Sequence, residues 1–217
     1  MAQESEKFVL EAEQLEELLR SGVKEKLGEG VSGKALLVRW GEGDAVLKLA
    51  HSGVSFTDFN PAAIVCSFVG RNTLGKVLEN SKLSDKELVR LSLRLCVAVQ
   101  EVHDKGYIHN DLMDVNVVVD EATGRVSIID FGNACRPGQN AGYGASSNDN
   151  LAPEILGGGS SSTASDVFSV GFMLGQICDE MARPSSELRR LARKMQSAKP
   201  RQRPALSAAI KRLNSCH

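Results

Sequence analysis

HNDLMDVN, residues 109–116, followed fourteen residues after Asn116 by DFG, residues 130–132, is the stretch that decides the fold. A His, an Asp two residues on and an Asn five further on make a loop that can aim a carboxylate and an amide into one place. A second carboxylate, Asp130, arrives at the end of the next strand-like run. One Asp to take a hydroxyl proton, with an Asp and an Asn to hold Mg²⁺, is the set that phosphoryl transfer requires.

The 217 residues suffice for one large domain or two small lobes, and 42% hydrophobic with 24% charged is ordinary for a globular chain. A net charge of −1 gives no bulk electrostatic case for nucleic acid or an anionic membrane. Five cysteines, without a CxxC pair, argue against a disulfide framework or a zinc site and point to a reducing, intracellular compartment. Six glutamates in the first twenty residues argue against a secretory leader, and the longest apolar run, 167–178, is too short to span a bilayer.

Apolar spacing predicts an amphipathic helix over 3–20, with Phe8, Leu15, Leu18 and Leu19 on one face. Strands are expected over 23–27, 35–40, 45–49 and 63–68, with GEGD at 41–44 as a hairpin turn. Residues 83–104 read as a helix opened by the capping box Ser84/Glu87, with Leu88, Leu91, Leu95, Val99 and Val102 as its stripe. A strand pair is expected over 115–119 and 125–129. The Gly/Ser/Asn-rich stretch to about 165 reads as loop, with GGGSSS at 157–162 as a flexible tether. Helices over 166–178, 186–197 and 205–214 close the chain. Strands before residue 70 and helices after it predict an α+β fold.

GEGVSGKA, residues 28–35, fits a glycine-rich turn between strands, where missing Cβ atoms let backbone N–H groups approach phosphate. Lys48 follows in AVLKLA. LAPE at 151–154, DVFSVG at 166–171 and RQRP at 201–204 complete the set. Over roughly residues 23–213 the chain resembles the eukaryotic protein kinases of serine/threonine type.

The resemblance implies a two-lobed fold with a reduced, antiparallel β-rich N-lobe over 22–70, a mostly helical C-lobe over 71–217, and the N-terminal helix over 1–21 as an addition. It implies ATP and Mg²⁺ as cofactors. Asp111 is then the catalytic base, Lys48 grips the phosphates, and Asn116 and Asp130 are metal ligands. Leu27, Gly28, Gly30, Val31, Gly33, Ala35, Val46, Ser67, Val69 and Val118 would contact the nucleotide. His109, Phe131, Ser147, Glu154, Asp166 and Arg203 would support the site, with Asp166 bracing the catalytic loop and Arg203 pairing with Glu154.

Three departures from the family pattern bear on mechanism. The only acidic residue between Lys48 and Glu79 is Asp58, so the helix whose Glu pairs with the strand lysine, and one strand, are absent from the sequence pattern. Met113 stands where serine/threonine kinases place a lysine on the transferring phosphate, and Val115 supplies no arginine in its stead. Asn110 replaces the arginine that reads activation-loop phosphorylation. The stretch between Cys178 and Ser186 is also short for the usual helix there. The expectation is a minimal, slow protein kinase acting on a protein substrate. The rival is a non-catalytic kinase-like decoy or regulator that binds another kinase or its substrate. A small-molecule phosphotransferase is disfavoured by LAPE and Arg203.

Overall fold

The computed structural model describes residues 12–30, 33–51, 63–80, 82–140, 149–183 and 185–215. Phe8, Val31, Asp58 and Ser147 lie outside them. The chain forms two compact units, 1–69 and 70–217.

The first unit opens with α1, Ala12–Glu17, which widens into a π-type turn over Leu18–Gly22. Four antiparallel strands follow in the order β1 (Val23–Glu29), β2 (Gly33–Trp40), β3 (Gly43–Ala50) and β4 (Ala63–Ser67). The β2–β3 turn is the two residues Gly41-Glu42, shorter than the GEGD turn expected, with Gly41 at φ +57°. Alternation sorts the strands into two faces. Leu36, Val38, Ala45 and Leu47 form one buried face, covered by Leu18 and Leu15. Leu19, expected on the same helical stripe, is exposed, because the wide turn changes the angular step just where it falls. Among the described residues no helix intervenes between β3 and β4.

The second unit is mainly helical: α2 (Leu74–Asn80), α3 (Asp85–Asp104), α4 (Pro153–Leu156), α5 (Thr163–Asp179), α6 (Ser186–Met195) and α7 (Leu206–Asn214), with the hairpin β5 (Val117–Asp120) and β6 (Arg125–Ile128). The α3 capping box is formed. The Glu87 N–H donates to Ser84 Oγ at 3.4 Å and the Ser84 N–H to Glu87 Oε2 at 2.8 Å. α5 is the central helix. Val167, Val170, Met173, Leu174 and Ile177 are buried in one core with Leu88, Leu95, Val99, Leu188 and Leu191. Its Gly171 makes room for α6: a Cβ there would sit 2.6 Å from Met195 Cβ.

α2 has no counterpart in the sequence pattern: its buried residues are Leu74 and Val77, too few to display a period. One expectation is corrected. The 157–162 run is fastened rather than free. The N–H groups of Gly157, Gly158 and Gly159 donate to Pro153 O, Ile155 O and Glu154 O, and Ser161 N–H donates to Gln139 O at 2.7 Å. Ser162 then caps α5. The short α5–α6 connection is held by Asp85, whose carboxylate accepts the N–H groups of Ala182 (2.9 Å) and Arg183 (3.0 Å).

Candidate active site

The 109–116 loop is built around Asp166 on α5, whose side chain is 1% exposed. Its Oδ2 accepts the His109 N–H at 2.8 Å and lies 2.9 Å from His103 Nε2, while its Oδ1 accepts the Asn110 N–H at 2.9 Å. A carboxylate that accepts several donors fixes the backbone of the loop that follows. His109 is buried. Its Nδ1 accepts the Asp111 N–H at 3.2 Å, so its Nε2, 3.0 Å from Ile129 O, carries the proton. Burial pushes its pKa below the ordinary 6.5, which keeps the ring neutral. Phe131 meets that ring edge-on at 4.8 Å while remaining 48% exposed, so it is only partly a packing residue.

Asn116 ties the two signature segments together. Its Nδ2 donates to Asp111 O at 2.9 Å and to Asp111 Oδ2 at 3.2 Å, and its carbonyl accepts the Ile129 N–H at 2.9 Å. With the amide nitrogen committed to Asp111, Asn116 Oδ1 is the atom of this side chain suited to a cation. Asp130 is exposed and left-handed, φ +64°. A carbonyl oxygen and a carboxylate fit Mg²⁺, which takes few protein ligands and completes its shell with water and phosphate oxygens.

Asn110 is also left-handed, φ +66°, a conformation asparagine tolerates better than most residues. Its Nδ2 donates to Asn133 O at 2.9 Å, beside the backbone bridge between Ile108 and Cys135. The amide thus ties the 109–116 loop to the segment after DFG. Arg136 lies 4.1 Å over the Tyr107 ring and donates to the carbonyls of Lys105 and Gly106 at the end of α3.

Arg203 is buried, and all five of its N–H donors are used. It is bidentate to Glu154, at 2.5 and 2.7 Å, and donates to the carbonyls of Ala164, Ser197 and Ala198. Its guanidinium stands over Phe168 at 5.1 Å. Asn150 and His103 belong to the same support and were not singled out in the sequence. Asn150 donates to Leu112 O at 3.1 Å and its carbonyl accepts Ser169 Oγ–H at 2.6 Å. His103 sits four residues after Val99 on the α3 stripe, and a polar residue on an apolar stripe is the signal that would have found it.

In the first unit, strand register places Gly28, Ala35, Val46 and Lys48 on the sheet face opposite the one α1 covers. Ser67 pairs with Ala45, which puts its side chain on the α1 side, apart from that group. Val69 follows β4, and Leu27 is half-buried in β1. Gly30 N–H donates to Gly33 O at 2.9 Å. Gly33 has its own structural reason: a Cβ would fall 2.0 Å from Leu49 O, whereas Gly28 and Gly30 face open space. In the second unit, Val118 is buried in β5.

A model of the protein kinase domain matches residues 43–182. The chain is 27% identical over 119 residues to the serine/threonine-protein kinase shk2 of Schizosaccharomyces pombe, covering 54% of this chain and 20% of that protein. It is 35% identical over 111 residues to CBL-interacting protein kinase 21 of Oryza sativa, covering 48% and 21%, and 29% identical over 134 residues to the serine/threonine-protein kinase mos of Patiria pectinifera, covering 57% and 38%. It thus spans between a fifth and two fifths of the length of these relatives. The matched region contains the Asp166-braced loop, Asn116 and Asp130, and the chain belongs to the protein kinase domain family.

Proposed function

We propose that this chain is a minimal serine/threonine-type protein kinase. The observation that carries the reading is the network in which Asp166 and His109 fix the loop and Asn116 orients Asp111. Asp111 Oδ2 is engaged by Asn116, so its other oxygen is the acceptor for the proton of an incoming hydroxyl. Mg-ATP supplies the γ-phosphoryl group and the cation that neutralises its charge. As the hydroxyl oxygen bonds to phosphorus, the bond from phosphorus to the ADP oxygen breaks and the hydroxyl proton passes to Asp111. Asn116 Oδ1 and Asp130 would hold the cation, and Lys48, with the glycine-rich turn, is assigned the phosphates. Protein hydroxyls are the substrate class, and the reducing interior of a cell is the setting that the unpaired cysteines favour. Among the described residues no helix is long and apolar enough to cross a membrane.

Met113 favours a second reading, a kinase-like regulator without turnover. A missing preorganised charge on the phosphoryl group costs ~10²–10³ in rate. The experiment is thermal shift with Mg-ATP beside phosphate transfer to generic proteins, wild type against Asp111→Ala. Ligand at ~100 times Kd stabilises by ~2.7 kcal/mol, about 5–11 °C for a chain of this size. Transfer abolished in the variant supports the kinase. A Mg²⁺-dependent shift without transfer leaves the regulator, and no shift overturns nucleotide binding altogether.

A further inference from the structure

The charge of this chain is unevenly placed. Residues 183–217 hold ten lysines and arginines against one acid, Glu187, whereas the remaining 182 residues hold sixteen basic and twenty-six acidic side chains. A net charge near zero therefore conceals a strongly basic segment on an acidic remainder. That segment folds into α6, a 3₁₀ turn over Pro200–Gln202, and α7.

Helical spacing decides which way the cations point. α6 turns Leu188, Leu191, Ala192 and Met195 into the core, which leaves Arg190, Arg193 and Lys194 exposed. α7 likewise buries Leu206, Ala209 and Leu213 and exposes Lys211 and Arg212. Arg203 is absorbed by Glu154, and Arg190 is hydrogen-bonded to Glu187. Between the two helices and the turn lies an open groove of about 460 Å³ lined by Arg190, Lys194, Gln202, Pro204 and Arg212. Three cationic side chains from two helices thus share one concavity with a single amide. With Glu187 as the one acid of residues 183–217, the concavity stays net positive, and an anionic group is complementary to it.

The surroundings select the class of anion. Stable seating on a membrane surface needs apolar side chains to insert, and those of α6 and α7 face the core. Single-stranded nucleic acid is held by stacking on aromatic rings, and residues 183–217 contain no Phe, Tyr or Trp. A narrow groove with separated point charges and an amide suits an extended polypeptide carrying carboxylates. We propose that the α6–α7 groove docks an acidic segment of a partner protein, its carboxylates meeting Arg190, Lys194 and Arg212. The docking is independent of nucleotide.

The test is fluorescence anisotropy of the full chain with a labelled Asp/Glu-rich peptide, at low and near-physiological salt. A control peptide carries Asn and Gln in place of the acids. The expected result is binding that weakens with salt, is absent for the control, and falls ~10-fold or more in Lys194→Glu/Arg212→Glu. These side chains are exposed, so the melting temperature is expected to hold. Should that variant fail to fold, Arg190→Ala/Lys194→Ala reads the same loss. Equal binding by wild type and a folded variant overturns the proposal. So does a single-stranded oligonucleotide or a phosphatidylserine vesicle that binds more tightly and displaces the peptide.

Discussion

Replacing Arg203 by alanine is the sharpest test of how this fold holds its active segment. The side chain is fully buried, its partner Glu154 is 22% exposed, and every guanidinium N–H has an acceptor. Removal strands the Glu154 carboxylate and the carbonyls of Ala164, Ser197 and Ala198 together. Breaking a buried pair by deleting one partner costs about 3–5 kcal/mol, because the other charge is left uncompensated. Against a total stability of about 5–15 kcal/mol that is a large fraction. At about 2–4 °C per kcal/mol for a chain of this length, the melting temperature should fall by about 6–20 °C. Far-UV circular dichroism is the right probe, since among the described residues the long helices lie in the second unit. Arg203→Lys keeps the charge but not the planar fork, and should lose roughly half as much. Glu154→Ala and the double variant complete a cycle, in which the double should cost less than the two singles added. A melting temperature within about 2 °C of wild type for Arg203→Ala, or strict additivity in the cycle, would refute the reasoning.

His109 makes stability depend on pH in a defined window. Burial lowers its pKa from 6.5, so the unfolded chain takes up a proton as pH falls through about 6.5 that the folded chain refuses. Its contribution is whole above that pH and declines toward the lowered folded value. The exposed carboxylates with lowered pKa, Glu29, Glu87 and Asp120, act only below about pH 4.5. Thermal melts from about pH 7 to about pH 5.5 should show a flatter slope for His109→Asn than for wild type, and equal slopes would assign the effect elsewhere. Met113→Lys should raise kcat in a phosphate-transfer assay, since an ammonium there meets charge that develops in the transition state. Met113 serves the loop through its carbonyl, which accepts the Asn116 N–H at 2.9 Å and survives the change. An unchanged or lower kcat at constant melting temperature would count against it. Leu18→Ala should cost about 2–4 kcal/mol by uncovering the β2–β3 face. Trp40, the single tryptophan, borders that cluster, so its fluorescence should report the loss; an unmoved transition would show that α1 is not the cover.

What the sequence made legible, and what it hid, separates along one physical line. α3 could be read because its signals are local: a capping box four residues long, Ser84 to Glu87, and an apolar stripe along a helix of 20 residues. The antiparallel strands before residue 70 carried equally local signals, short apolar runs broken by a Gly-rich turn. The features misread depend on partners elsewhere. Gly157–Gly159 advertise chain freedom by composition, yet their N–H groups find the carbonyls of α4, and Ser161 exchanges backbone bonds with Gly138 and Gln139. His103 and Asn150 look ordinary until Asp166 and Leu112, 63 and 38 residues away, are beside them. Gly33 fits a phosphate-approach pattern, but the carbonyl of Leu49 alone forbids a side chain there, so that glycine is weaker testimony to nucleotide than Gly28 or Gly30, which nothing crowds. Asn110 carries the same lesson in the other direction. Read as a substitution it is only a lost arginine. In place, its left-handed backbone and its bond to Asn133 give the residue work of its own, joining the loop that holds Asp111 to the segment after Asp130.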